Sequence, residues 1–212
     1  NYPGTILTDS GCFQVFSLSG LRKVDEEGVT FQSHLYGSRH TLTPEGVISL
    51  QARLGSDIWT SLDECPPYSC SEARAREALE RTLSWTERSH RAFLQERESR
   101  GATALFFPIL QGSVYPALRR EAAEHLAGLS FDGAALGGFS VGEPKERTWA
   151  ALSELTPLLP AEKPRYLMGM GRPEDLWEAV GQGVDMLDCV WPTRVARNGL
   201  AMLRRGRLNI SN

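Results

Sequence analysis

Three aspartates, Asp9, Asp63 and Asp188, each stand just after a short apolar run. Paired carboxylates beside a sugar carbon are the equipment for displacement at an anomeric centre, one attacking and one managing protons. Glycosyl transfer or hydrolysis is therefore the chemistry these residues predict. A single aspartate in such a place can equally cap a loop or helix; three of them shift the balance towards a shared cavity. Gln111, Gly137-Gly138 and Gly169 follow three further apolar runs. The glycine-rich turns at Gly137-Gly138 and Gly169-Met170-Gly171 would let a planar ligand approach the backbone closely. Phe13 and Met168 offer apolar faces that can sandwich a base by stacking, with plain core packing as the competing reading. Neither G-x-x-x-x-G-K-[ST] nor a G-x-G-x-x-G opening a helix is present, so a nucleotide cofactor is not indicated.

Those residues need elements that hold them together. Short β-rich runs at Thr5 to Thr8, Asp57 to Leu62, Ala104 to Leu110, Gly133 to Leu136, Arg165 to Met168 and Asp185 to Leu187 alternate with helical patterns. Thr43-Pro44-Glu45 opens a helix that Gly55 closes, and Ser71 can cap an amphipathic helix over roughly Glu72 to Glu98. Further helices are expected at Val114 to Leu126, Pro144 to Leu155 and Pro173 to Val180. Val29 to Leu42, turning at Tyr36-Gly37-Ser38, reads as an inserted β-hairpin. Alternating βα units imply a parallel sheet packed against helices. An open doubly wound sheet and a (β/α)8 TIM barrel compete. The barrel is favoured because Asp9, Asp63, Gln111, Gly137-Gly138, Gly169 and Asp188 end six successive runs, and a barrel turns all of them into one mouth. With about six βα units visible, the barrel is expected to be incomplete.

Composition sets the outer bounds. The 212 residues are 41% apolar and 23% charged, which describes a folded chain rather than a disordered one. The longest apolar runs fall short of the roughly 20 residues a membrane span needs. Cys12, Cys65, Cys70 and Cys189 form no C-x-x-C pair, and His34, His40, His90 and His125 lack ligand spacing, so free thiols and no zinc site within this span are expected. The formal net charge of −3 argues against a nucleic-acid binder, yet Cys189 to Asn212 contains no Asp or Glu and carries Arg194, Arg197, Arg204, Arg205 and Arg207. Phosphate neutralisation is local, so such a stripe can grip RNA on an acidic protein; a solvated face is the alternative.

Seven runs carry a family resemblance. Thr8-Asp9-Ser10-Gly11-Cys12-Phe13-Gln14-Val15, Leu54-Gly55-Ser56-Asp57-Ile58, Leu62-Asp63-Glu64-Cys65-Pro66-Pro67 and Gln111-Gly112-Ser113 resemble tRNA-guanine transglycosylases. In the same order follow Leu136-Gly137-Gly138-Phe139-Ser140-Val141-Gly142-Glu143, Pro164-Arg165-Tyr166-Leu167-Met168-Gly169 and Asp185-Met186-Leu187-Asp188-Cys189-Val190-Trp191-Pro192-Thr193-Arg194. The resemblance implies a modified (β/α)8 barrel that exchanges guanine in tRNA for a 7-deazaguanine. It makes Asp188 the nucleophile at ribose C1′ and Asp9 the general acid/base. Base binding then falls to Asp9, Ser10, Gly11, Cys12, Phe13, Asp63, Cys65, Gln111, Gly137, Gly138, Phe139 and Met168. Contact with the tRNA anticodon loop falls to Gly169-Met170-Gly171-Arg172-Pro173-Glu174-Asp175 and Thr193-Arg194-Val195-Ala196-Arg197.

Cys65 and Val141 follow the bacterial pattern, which implies 7-aminomethyl-7-deazaguanine rather than queuine as the incoming base at the wobble position of G-U-N anticodons. Cys12 stands where that pattern usually has glycine, and Phe139 where it usually has leucine. A side chain at position 12 is expected to narrow the slot or shift the backbone. The resemblance further implies a cytoplasmic homodimer with a structural zinc. The family begins earlier and continues into a Cys-x-Cys-x-x-Cys plus His site, so the chain is expected to be a fragment with the zinc ligands beyond residue 212, unstable or inactive alone. A non-catalytic partner subunit of the same fold, a DNA- or archaeosine-type paralogue and a generic barrel glycosidase are the alternatives.

Overall fold

The structure is a computed structural model that describes residues 2–16, 20, 22–33, 35–101 and 103–210; His34 lies outside them. First come β1 (Leu7–Thr8), a short helix α1 (Cys12–Phe16) and an antiparallel sheet of β2 (Arg22–Asp25), β3 (Gly28–Gln32) and β4 (Arg39–Leu42). Then α2 (Pro44–Leu54) leads to β5 (Ile58–Thr60), and α3 (Glu72–Arg100) to β6 (Leu105–Phe107) and β7 (Ile109–Leu110). Next α4 (Pro116–Leu126) leads to β8 (Ala134–Leu136), α5 (Lys145–Leu155) to β9 (Arg165–Leu167), and α6 (Pro173–Gly181) to β10 (Met186–Leu187). Finally α7 (Trp191–Arg197) precedes an antiparallel hairpin of β11 (Leu200–Leu203) and β12 (Gly206–Asn209).

The helices start and stop where the sequence punctuates them. Thr43 Oγ1 accepts the Gly46 N–H at 3.0 Å, Pro44 opens α2, and Gly55 closes it in the left-handed region at φ 71°. Ser71 caps α3, which runs two residues past Glu98 before Gly101 ends it in the same way.

All seven main strands pair in parallel, as β1-β5-β6 and β10-β9-β8-β7. Only Pro108 separates β6 from β7. It has no N–H for the ladder, but its carbonyl accepts from Ala135 at 3.0 Å. The two segments are one run, pairing with β5 in its first half and β8 in its second. Strands thus neighbour one another in chain order, and among the described residues no reversal of that order occurs. A doubly wound sheet requires such a reversal at its binding crevice.

Side chains alternate across these strands. Trp59, Phe106, Leu136 and Leu167 join the large core beneath the helices, where Phe93 of α3 stacks on Phe106 at 5.1 Å and meets Trp59 edge-on at 5.5 Å. Their neighbours Ile58, Phe107, Ala135 and Tyr166 form a second apolar cluster on the opposite face. Burial on both faces is what a parallel sheet demands, and it explains runs that read as continuously apolar.

The expected hairpin is one strand larger. Val29 to Leu42 does form β3 and β4 with Gly37 at the turn, but β2 pairs on the other side of β3. Arg22-Lys23-Val24-Asp25 is too charged to read as a strand, and only the antiparallel partner recruits it. The hairpin β11–β12 is likewise unannounced, since Leu200–Leu203 is apolar throughout and Gly206–Asn209 is short, so neither alternates.

Candidate active site

Parallel strands end on one side, so the residues that follow them meet. A cavity of about 590 Å³ opens there, lined by Asp9 after β1, Asp63 after β5, Gln111 after β7, Gly137 after β8 and Asp188 after β10. Phe13, Cys65, Gly138, Phe139, Met168 and the Gly169–Arg172 turn also line it.

Asp188 is exposed towards this space, and one of its oxygens is held. Oδ1 accepts from the Tyr166 hydroxyl at 2.7 Å and from the Gly169 N–H at 2.9 Å. Oδ2 takes no hydrogen bond among the described residues. Burial, and then donation to Asp188, drive the Tyr166 phenol upward, so it stays a donor. Asp9 is more enclosed. Burial raises its pKa, the Ser10 and Gly11 N–H groups oppose the rise, the Asp188 charge adds to it, and the Gln14 side chain opposes it. Raised proton affinity is what a group that passes a proton requires.

The floor is an acid-amide pair. Gln111 Nε2 donates to Asp63 Oδ2 at 2.6 Å, and Ser10 Oγ donates to Asp63 Oδ1 at 3.4 Å. Burial first, then the charge of Asp9, pushes Asp63 up to about 7. Gln111 Oε1 is buried with no hydrogen-bond partner. A buried acceptor left open costs roughly 1–3 kcal/mol, which a ligand donor can recover. Burial, with Asp63 adding, pushes the neighbouring Cys65 thiol up to about 12, so it contributes shape and not a thiolate.

The glycines work differently from the expectation. A Cβ on Gly138, which sits at φ 72°, would lie 2.3 Å from Gln111 Oε1, and one on Gly137 would lie 2.7 Å from Ile109 and 2.8 Å from Gln111 Nε2. These residues make room for the Gln111 side chain, and both also line the cavity. At Gly169 nothing lies within 4 Å, so that turn is open.

Cys12 also departs from expectation. It is fully buried in α1, where its thiol donates to the Asp63 carbonyl, and the positive φ falls on Gly11 instead. Neither Cys12, Ser10 nor Gly11 lines the cavity, so the side chain at position 12 does not narrow the slot. Of the two segments expected to contact RNA, Arg172 and Arg194 line the cavity, while Thr193, Val195, Ala196, Arg197, Pro173 and Glu174 do not. Met170 and Asp175 also line the cavity, Met170 largely packed into the core and Asp175 buried in an ion pair with Lys145.

Tyr166, Gln14, Glu143, Lys145 and Arg119 were not singled out by residue type. Glu143 accepts the Ser140 and Val141 N–H groups at 2.6 and 2.9 Å and so shapes the wall after Phe139. Arg119 had a signal in the sequence, a cation on the apolar face of α4 beside Leu118 and Ala122. Among the described residues no three His, Cys, Asp or Glu side chains are grouped so as to hold a metal ion, and the four cysteines are free.

Fold and site together define an α/β protein with a carboxylate-lined cavity at the carboxyl ends of its parallel strands. Residues 1–212 match the family model described as queuine tRNA-ribosyltransferase, and the chain belongs to that family. A queuine tRNA-ribosyltransferase of Desulforudis audaxviator is 53% identical over 212 residues, which is all of this chain and 56% of the relative. Proteins of the same name from Desulforamulus reducens and Pelotomaculum thermopropionicum are 50% and 52% identical over the same 212 residues, again 56% of each. The chain thus spans about half the length of the curated relatives it matches.

Proposed function

We propose that the protein carrying this chain is a tRNA-guanine transglycosylase that replaces guanine at the wobble position of G-U-N anticodons with 7-aminomethyl-7-deazaguanine. The observation that carries this is the pairing of Asp188, one oxygen held and the other open, with Asp9, whose proton affinity burial raises, across one cavity. Asp188 attacks ribose C1′ while Asp9 gives its proton to guanine, which leaves with the bonding pair. The incoming base gives its proton to Asp9 and retakes C1′, freeing the Asp188 carboxylate, so two displacements return the original configuration. Asp63 and Gln111 read the base edge, with the Gly138-Phe139 backbone beside them and Phe13 and Met168 as stacking faces. The wobble nucleotide must be splayed out, because C1′ is not reachable for in-line attack in a stacked base.

Cys65 lines the base cavity together with Val141, which supports the choice of 7-aminomethyl-7-deazaguanine. The parallel strands running in chain order, apolar on both faces, support a (β/α)8 barrel of which this chain supplies six strand positions. No helix of the described residues is long and apolar enough to cross a membrane, and a cytoplasmic homodimer accords with a tRNA substrate. The structural zinc belongs, on this reading, to ligands outside these residues. Exchange of radiolabelled guanine into unmodified G-U-N tRNA by the intact protein is the test. Exchange should vanish in Asp188→Ala, and activity surviving there would sink the nucleophile assignment. A preference for queuine over 7-aminomethyl-7-deazaguanine in competition would overturn the choice of base.

A further inference from the structure

We infer that Arg119 is a positioning residue that sets the separation of the two base-reading strand ends, an inference that rests on the function proposed above. Arg119 is only 1% exposed, on the helix face that otherwise carries Leu118, Ala122, Ala123 and Leu126. Its Nη1 donates to the Leu110 carbonyl at 3.0 Å and the Gly137 carbonyl at 2.7 Å, and its Nε donates to the Ser113 carbonyl at 2.8 Å. Leu110 and Gly137 immediately precede Gln111 and Gly138. The Leu110 carbonyl also accepts the Gly137 N–H at 3.0 Å. The guanidinium therefore closes the ladder between β7 and β8 where those strands hand over to the recognition groups.

The surroundings are built around it. Its carbon lies 3.9 Å from the centre of the Phe139 ring. Gly112, at φ 140°, would place a Cβ 2.9 Å from the Arg119 backbone nitrogen, so the Gln111-Gly112-Ser113 turn is wrapped directly against this residue. Arg119 Nη2 and Gln111 Oε1 are both buried without hydrogen-bond partners, and they lie 3.1 and 2.3 Å from the point a Gly138 Cβ would occupy. Among the described residues no carboxylate pairs with this guanidinium, whose hydrogen bonds go to carbonyls alone. A buried cation with no paired carboxylate is a poor source of stability, and an apolar side chain would serve packing better. What only the planar fork supplies is fixed geometry between two strand ends and a turn, which a point-charge lysine cannot span.

Steady-state exchange of radiolabelled guanine into tRNA by the intact protein tests this in Arg119→Lys. Guanine KM should rise roughly tenfold, with kcat at saturating guanine within about threefold and the tRNA KM unchanged, because displaced recognition groups weaken base binding. A merely structural residue would lower kcat through the folded fraction and leave guanine KM where it was. Arg119→Gln, which removes the buried charge and keeps one donor, carries the same expectation if the lysine variant does not fold. Wild-type exchange combined with an unchanged guanine KM in the variants overturns this inference alone. Failure of the wild type to exchange overturns the proposed function, and the inference with it.

Discussion

Asp63 shows how burial turns an ordinary carboxyl into a group that titrates near neutrality. It must be ionised to accept donors from a base, and burial with the Asp9 charge raises its pKa to about 7. Guanine KM should therefore rise as pH falls below about 7, measured by exchange kinetics across pH. Stability runs the other way. A folded-state pKa above the unfolded one near 3.8 favours the fold most at acid pH, and that contribution is lost as pH rises through about 7. Asp63→Asn should accordingly be more stable relative to wild type at pH 8 than at pH 5, by on the order of 1–4 kcal/mol, while failing to use guanine. An equal stability difference at the two pH values, by denaturant titration, would contradict the charge argument. Tyr166→Phe removes the 2.7 Å bond to Asp188 and leaves the Gly169 N–H in place. The expected loss is roughly tenfold in kcat with little change in tRNA KM, since one donor that orients the attacking carboxylate is gone; a kcat equal to wild type would exclude that role.

At the scale of elements, the site depends on how helices are tied to strand ends. Glu64, between Asp63 and Cys65, has a side chain with 0% exposure, and it pairs with Arg74 and Arg81, both from α3. Breaking a buried pair from one side leaves uncompensated charge, so Glu64→Ala should cost about 3 kcal/mol in chemical denaturation. A cost below about 0.5 kcal/mol would mean that solvent readily takes over the two arginines. The βα rhythm, the caps at Thr43 and Ser71 and the stops at Gly55 and Gly101 were all legible, because each depends on a few adjacent residues. Strand β2 and the hairpin β11–β12 were not. β2 is mostly charged, β11 is uniformly apolar and β12 is four exposed residues, so none shows an apolar alternation, and they become strands only because a partner pairs with their backbone.

For the molecule as a whole, a formal charge of −3 coexists with an arginine-bearing end whose Arg194 reaches the cavity rim. If that surface holds phosphates, tRNA KM should climb steeply with salt. Arg194→Ala and Arg197→Ala should each raise it and flatten the salt dependence by about one counterion, with guanine KM unmoved. Arginine variants whose tRNA KM keeps the wild-type salt slope would return the stripe to a solvated face. The parallel strands bring residues from positions 9 to 188 to one cavity, whose lining includes Arg172 and Arg194 as well as Asp9 and Asp188.

Which residues stand at the strand ends was determined by the sequence alone, since apolar runs and the residues that end them are local features. Asp9, Asp63, Gln111 and Asp188 are therefore legible from local sequence. Only the tertiary structure decided what each of them touches. Gln111 meets Asp63 across 48 residues of chain, Tyr166 meets Asp188 across 22, and Arg119 reaches Gly137 across 18. It also set the Gln111 side chain against the glycines at 137 and 138, which line the cavity, and it turned Cys12 away from the cavity. Close approach between distant segments depends on register and packing direction, and no local pattern encodes either.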